Sequence, residues 1–182
     1  MRHLVRACAC AAGLLAVVNA GGGAQSPQAR AVLPGIDVPI MLDTMALEFP
    51  IGGLRDSIYV ALKKVFEELK IPVQTANPRA GLLNNLNADL SGRLGGERMS
   101  RYIDCGRGFS GPNADFYRLT LAVSAWVEPA TGDPQKLMVA IAASGRDPSG
   151  SRSYYSPCTS RGDLEKRIAR RVQELVGPGQ AS

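Results

Sequence analysis

The chain has 182 residues, 20% of them charged, and a formal net charge of +5 at pH 7. Loss of a signal peptide ending at Ala24 would remove Arg2 and Arg6 but no acidic residue, and would lower the charge to +3. So small an excess is not the dense basic surface of a nucleic-acid-binding protein. The residues that follow position 24 suffice for one ordinary domain with its own core.

The first 24 residues have the three zones of a secretory signal peptide. Arg2 and Arg6 make the start basic, Ala7 to Val18 is an uncharged apolar run, and small residues follow. This order is typical of signal peptides, and a run of about 12 residues falls short of the roughly 20 that span a bilayer. We predict cleavage after Ala20 or Ala24, and a periplasmic or secreted protein with no integral membrane span.

Two cysteines follow the predicted signal peptide, Cys105 and Cys158. In an oxidising compartment, a lone pair of cysteines is most simply a disulfide. Closing the loop between them would stabilise the fold by about 4 kcal/mol in the chain-entropy model. A reactive thiol or a metal-binding pair is the alternative.

The first half of the mature chain predicts an arm, a strand and a helix. Residues 25–44 are rich in proline, alanine and glycine, and predict a linker or a loosely docked arm. A short strand from Met45 to Phe49 follows. Apolar residues at three- and four-residue steps from Leu54 to Leu69 predict an amphipathic helix, which Ile71-Pro72 should end.

The middle of the chain predicts a run of antiparallel strands. Alternation of apolar and polar residues is clearest in the last two, which should form a hairpin across a turn at Thr131–Pro134. A loop rich in glycine, serine and proline then leads to Cys158. The predicted strands are a segment that begins at Val73, Leu82–Leu90, Met99–Cys105, Tyr117–Val127 and Leu137–Ala143.

A second helix is predicted at the end of the domain. Ser160 with Asp163 three residues later is a capping pattern, and apolar residues from Leu164 to Val176 form one stripe. Gly177-Pro178 should end it. We therefore predict an α+β fold over residues 45–177, in which a curved antiparallel sheet carries two helices on one face, followed by a tail at 178–182.

This layout resembles the helix-grip domains of bacterial envelope proteins, in particular the outer-membrane assembly lipoprotein C family. The resemblance covers the order of elements across residues 45–177 and the amphipathic helix that runs into Ile71-Pro72-Val73. The chain departs from that family because it lacks a cysteine placed for lipidation and has a predicted disulfide. The resemblance implies an accessory or binding role in the envelope without chemistry.

Catalytic motifs are missing from the mature sequence, and we predict no catalytic residue, cofactor or metal. The only histidine, His3, leaves with the signal peptide, which excludes Ser-His-Asp and Cys-His catalysis and the commonest zinc ligand. Gly106 to Gly111 matches the dinucleotide-binding pattern G-x-G-x-x-G, but an antiparallel strand follows where that site needs a helix. We interpret it as a glycine-rich loop beside the disulfide.

Two further patterns have structural explanations. Asn85, Asn87, Asp89 and Ser91 alternate like calcium ligands, but Leu90 stands where such a loop needs glycine and no glutamate closes it. Five basic residues crowd the last helix, yet acidic residues interleave with them, which predicts Asp163–Arg167 and Arg170–Glu174 pairs on a solvated face. The five are Arg161, Lys166, Arg167, Arg170 and Arg171.

Phe116, Arg118 and Trp126 form a candidate interaction surface. They fall on the strand face opposite the apolar stripe, and two aromatic residues there are unusual on a solvated face. The alternative is that residues 31–42 of the arm fold back and cover them.

Three functions remain open from the sequence. The first is an exported, non-enzymatic binding or scaffolding module whose partner is an envelope protein or polymer. The second is a hydrolase or transferase that uses carboxylates such as Asp104 and Asp115. The third is a carrier that holds a small apolar ligand between helix and sheet.

Overall fold

The structure of the chain, a computed structural model, describes residues 29–128, 134–149 and 154–177. The predicted signal peptide, the turn residues 131–133 and the tail 178–182 lie outside the described residues. Within the described ranges, no helix combines the length and apolarity needed to cross a bilayer.

One sheet of seven strands organises the fold, and all its pairings are antiparallel. The strands are β1 (Leu47–Ile51), β2 (Thr75–Asn77), β3 (Leu82–Ser91), β4 (Ile103–Asp104), β5 (Arg118–Val127), β6 (Gln135–Arg146) and β7 (Tyr155–Ser160). Their order in the sheet is β2-β3-β5-β6-β7-β4. The remaining strand, β1, pairs with the first half of β6, on the same side of β6 as β7, which pairs with the last residues of β6.

Two helices, α1 (Arg55–Leu69) and α2 (Asp163–Val176), pack together on one face of this sheet. Lys70 ends α1 in the left-handed conformation, so the predicted stop before Pro72 is confirmed. The α+β fold with an antiparallel sheet, two helices and one disulfide is therefore as predicted. The core on this face includes Ile58, Leu62, Phe66, Leu121, Val139, Ile141, Leu164 and Ile168.

The arm covers the opposite face of the sheet. Its buried residues, which include Leu33 and Leu42, form a second apolar cluster with Trp126 and with alanines of the two central strands. The arm is held in shape by pairing of Arg30–Ala31 with Ile40–Met41 and by a 3-10 helix, Leu42–Met45. The sheet is thus buried on both faces along most of β5.

Three local predictions are wrong. Met99–Cys105 is not one strand: Met99–Arg101 is a 3-10 helix, and only β4 is extended. The loop before Cys158 contains β7, which was not predicted. In β3, a bulge opposite Leu121 and Val123 places Leu86 in the arm cluster, whereas Leu90 packs against the helix-side core, so the two do not share one face.

Candidate functional site

The predicted disulfide joins Cys105, which follows β4, to Cys158 in β7. Both cysteines are half-buried and pack against the helix-side core. The segment that leaves this bond, residues 106–117, is called the anchored loop below. The bond therefore fixes the start of the anchored loop to the edge of the sheet.

Hydrogen bonds fix the base of the anchored loop further. Asn113 donates its backbone N–H to the carbonyl oxygen of Gly106 at 3.0 Å, and its side-chain amide to that of Cys105 at 3.2 Å. A Cβ atom on Gly108 would lie 2.8 Å from Oδ1 of Asn113, so a larger residue there would displace the Asn113 side chain. Ala114 is fully buried in the helix-side core. The base of the loop is consequently part of the domain.

The tip of the anchored loop is apolar and exposed. Arg107–Gly108 pairs with Gly111–Pro112 in a short antiparallel ribbon, and Phe109 at its turn is fully exposed. Phe116 is 56% exposed, and its ring lies 3.9 Å from where a Cβ atom of Gly111 would be. Arg107 is exposed as well. The glycine-rich motif therefore forms a ribbon that presents an aromatic ring to solvent.

The three residues of the predicted interaction surface do not form one surface. Trp126 is only 1% exposed because the arm cluster covers it, so it is not part of a solvent-exposed surface as the sequence had suggested. Phe116 precedes β5 and belongs to the anchored loop. Arg118 is exposed at the start of β5. The alternative, an arm that folds back, holds for Trp126 alone.

The carboxylates considered for acid–base chemistry have separate structural partners. Asp104 accepts hydrogen bonds from Arg161 at 2.7 Å and from the backbone N–H of Gly106 at 2.9 Å. Asp115 accepts two hydrogen bonds of 2.9 Å from Ser100, one from its backbone N–H and one from its hydroxyl group. Each carboxylate holds a loop in place, and the two share no partner in these bonds.

The calcium-like pattern is split between the two faces of the sheet. Asn85 stands opposite Val123 of the helix-side core and donates to the carbonyl oxygen of Pro72 at 2.8 Å. Asp89 accepts from the hydroxyl group of Thr120, on the other side of the bulge, at 3.1 Å. In the described ranges, His, Cys, Asp and Glu side chains form no group of three that could hold a metal ion.

Three of the four basic residues within α2 have an acidic partner within 4.0 Å. The predicted pair between Arg170 and Glu174 is confirmed at 4.0 Å. The predicted pair between Asp163 and Arg167 is wrong, because Asp163 lies 3.6 Å from Lys166 instead.

Two other arginines of α2 reach across to neighbouring elements. Arg167 donates to the carbonyl oxygen of Gly95 at 2.8 Å and to the hydroxyl group of Tyr102. Arg171 holds both oxygens of Glu68 on α1, at 2.8 and 3.0 Å, and these hydrogen bonds are the main cause of a lowered pKa of Glu68. The Arg171–Glu68 pair therefore links α2 to α1, whereas Arg167 links α2 to Gly95 and Tyr102.

The space between helices and sheet is filled by side chains of the protein. Ile58, Leu62 and Phe66 of α1 are fully buried against Leu121 and Val139 of the sheet. A ligand carried there would have to displace residues that already form the main core, so this packing does not favour the apolar-ligand carrier.

Sequence reasoning missed Phe109, although a signal was present. An aromatic residue inside a run of glycine, serine and proline cannot contribute to a core unless the loop folds inward. The phosphate-binding pattern of the segment does not account for that ring. Arg146 and Tyr155 were missed for two other reasons: the predicted strand ended at Ala143, before Arg146, and β7, which contains Tyr155, was not predicted.

Comparison with known proteins adds no functional assignment. No protein-family model matches the chain, and no curated protein is detectably similar to it in sequence.

Proposed function

We propose that this protein is an exported, non-enzymatic binding module of the bacterial envelope, and that it binds a protein partner through the anchored loop. The observation that carries the proposal is the full exposure of Phe109 on a loop whose base is fixed by a disulfide and by hydrogen bonds. The export and envelope role rest on the signal-peptide pattern and on the resemblance to envelope helix-grip domains.

Burial of Phe109 would supply binding free energy at low entropic cost. Transfer of a phenylalanine side chain from water into an interface is worth roughly 1.5–3 kcal/mol. Because the base of the loop is already ordered, little conformational entropy remains to be lost on binding. Exposed phenylalanine and arginine side chains together, here Phe109, Phe116 and Arg107, are typical of protein–protein interfaces.

The carboxylate-based enzyme receives less support. Asp104 and Asp115 are each occupied by local hydrogen bonds that hold loops in place. Acid–base catalysis by this pair of carboxylates would need both groups positioned around one substrate.

Site-specific photo-crosslinking in the native host tests the proposal. A benzophenone amino acid is placed at position 109 or 116, and, as a matched control, at Leu54, which is 77% exposed at the start of α1. We expect discrete protein adducts from positions 109 and 116 and none from position 54. Equal labelling at all three positions, or no protein adduct at 109, would overturn the proposal.

Export has a separate test. Sequencing the mature protein from the envelope fraction should find an N-terminus between Gly21 and Gln25. Protein that keeps Met1 and stays in the cytoplasm would contradict export, whatever the crosslinking result.

A further inference from the structure

Two arginines stand side by side on the face of the sheet opposite the helices, beyond the part that the arm covers. Arg118 of β5 and Arg146 of β6 are directly opposite in the antiparallel register. Side chains in this relation project from the same face with Cβ atoms about 4.5–5.5 Å apart. Like charges so placed destabilise a sheet unless something neutralises them.

Acidic residues do not neutralise this pair. Among the described residues, no carboxylate lies within ion-pair distance of Arg118 or Arg146. By contrast, Arg161 lies 2.7 Å from Asp104, and Arg171 lies 2.8 Å from Glu68. Asp89, the acidic residue that lines the neighbouring cavity, accepts a hydrogen bond from Thr120. The cavity therefore keeps a net positive charge.

The two arginines line a cavity of about 260 Å³. Tyr155 of β7 forms one side of it, and the guanidinium group of Arg146 lies 5.7 Å from the centre of the Tyr155 ring. Ligand pockets of proteins usually occupy about 300–1,000 Å³, so this cavity suits a small group. Its lining is completed by Asp89, Leu90, Ser91, Leu119 and Thr120.

One polar atom of the cavity wall has no partner. Nε of Arg146 is buried and has no hydrogen-bond partner among the described residues. Buried polar groups are usually satisfied in folded proteins, so an acceptor bound in the cavity would give this N–H a partner.

We propose that Arg118 and Arg146 bind an oxyanion, a carboxylate or phosphate group of a small ligand, in this cavity. The geometry of a guanidinium group matches that of a carboxylate and that of a phosphate group, and it forms strong, charge-assisted hydrogen bonds with either. The bound anion relieves the repulsion between the two arginines and gives Nε of Arg146 an acceptor. This site is separate from Phe109 at the tip of the anchored loop, and it does not depend on a protein partner there.

NMR titration of the mature protein tests the site directly. Arginine Nε–H signals are followed while inorganic phosphate, or in a second series acetate, replaces chloride at constant ionic strength. We expect saturable shifts of the Arg118 and Arg146 signals with at least one of the two anions. In Arg118→Gln and in Arg146→Gln the affinity should fall about ten-fold or more, because a charged hydrogen-bond donor is lost.

The matched control is Arg101→Gln, which removes an exposed arginine that pairs with Glu97 and does not line the cavity. Its titration should equal that of the wild type. Absence of saturable shifts with both anions, or equal binding by wild type and Arg118→Gln, would overturn the proposal.

Thermal stability supplies a second readout. Without phosphate or acetate, Arg118→Gln should melt at a higher temperature than the wild type, because the repulsion with Arg146 is removed. The binding anion should raise the melting temperature of the wild type but not that of Arg118→Gln. A purely structural role for Arg118 predicts the opposite, a variant that is less stable in chloride and still responds to the anion.

Discussion

The hydroxyl group of Ser160, the last residue of β7, donates a hydrogen bond of 2.6 Å to Oε1 of Glu165 in the first turn of α2. The same Ser160 oxygen accepts the backbone N–H of Gly162 at 3.2 Å. Glu165 is only 4% exposed, and its Oε2 has no hydrogen-bond partner among the described residues. Burial is the main cause of the raised pKa of Glu165, and the bond from Ser160 opposes it.

This raised pKa gives stability a defined pH dependence. The folded state holds the Glu165 proton to higher pH than the unfolded chain, whose value is near 4.5. The contribution of Glu165 to the free energy of unfolding is therefore largest below pH 4.5, decreases as pH rises towards the folded-state pKa, and stays low above it. We expect Glu165→Gln to be more stable than the wild type at pH 7.5 and to lose this advantage at pH 4.

Urea unfolding at both pH values measures the difference between variant and wild type. Glu67→Gln, on an exposed position of α1, serves as the control and should change the free energy of unfolding by less than about 0.5 kcal/mol. A Glu165→Gln variant that is less stable than the wild type at pH 7.5 would contradict the account.

The helices could be predicted because their signal is local. Apolar residues at three- and four-residue steps, such as Leu164, Ile168 and Val172 of α2, determine both the helix and the face that it buries. β7 has no such signal. Its side chains are half-exposed, and its residues before Thr159 pair with β6 alone. Pro157 therefore stands at an open edge, where proline is tolerated.

The exposure and the neighbours of the candidate site residues depend on long-range packing, which the hydrophobic periodicity of the sequence does not report. The sequence places Trp126 on the face away from the helices, but only the folded arm decides whether that face meets solvent. The bulge in β3 likewise moves Leu86 to the arm side, and nothing in the local alternation marks it. Arg118 and Arg146 become neighbours only through the register of β5 and β6.

Gly35 should be irreplaceable in the arm. It has φ near +75°, and a Cβ atom there would lie 2.5 Å from Cβ of Tyr155. We expect Gly35→Ala to lower the free energy of unfolding by roughly 2–4 kcal/mol, because overpacking adds to the cost of positive φ. Gly92→Ala, at φ near +68° with open space around it, should cost only about 1 kcal/mol. Equal losses of unfolding free energy in Gly35→Ala and Gly92→Ala, measured by chemical denaturation, would show that contact with Tyr155 is unimportant.

Removal of the disulfide should leave the fold intact but much less stable. Cys105 and Cys158 are 53 residues apart, so the chain-entropy model gives a loss of about 4 kcal/mol in the double variant Cys105→Ser, Cys158→Ser. Because single domains are typically stable by roughly 5–15 kcal/mol, the variant should still fold after that loss. The circular dichroism spectrum at about 20 °C should equal that of the wild type, whereas the melting temperature should fall. Readily labelled thiols in native protein from its own compartment would refute the bond.

The arm can be tested through the only tryptophan of the chain, Trp126. Leu42 of the arm is fully buried in the same cluster, so Leu42→Asn introduces an unpaired polar group there and should cost about 2–5 kcal/mol, as large-to-small core changes do. We expect Trp126 emission to shift to the red and acrylamide quenching to increase while the circular dichroism of the sheet persists. Val38→Asn, at a 67% exposed arm position, should change neither. Unchanged emission in folded Leu42→Asn would show that Leu42 is not needed to shield Trp126.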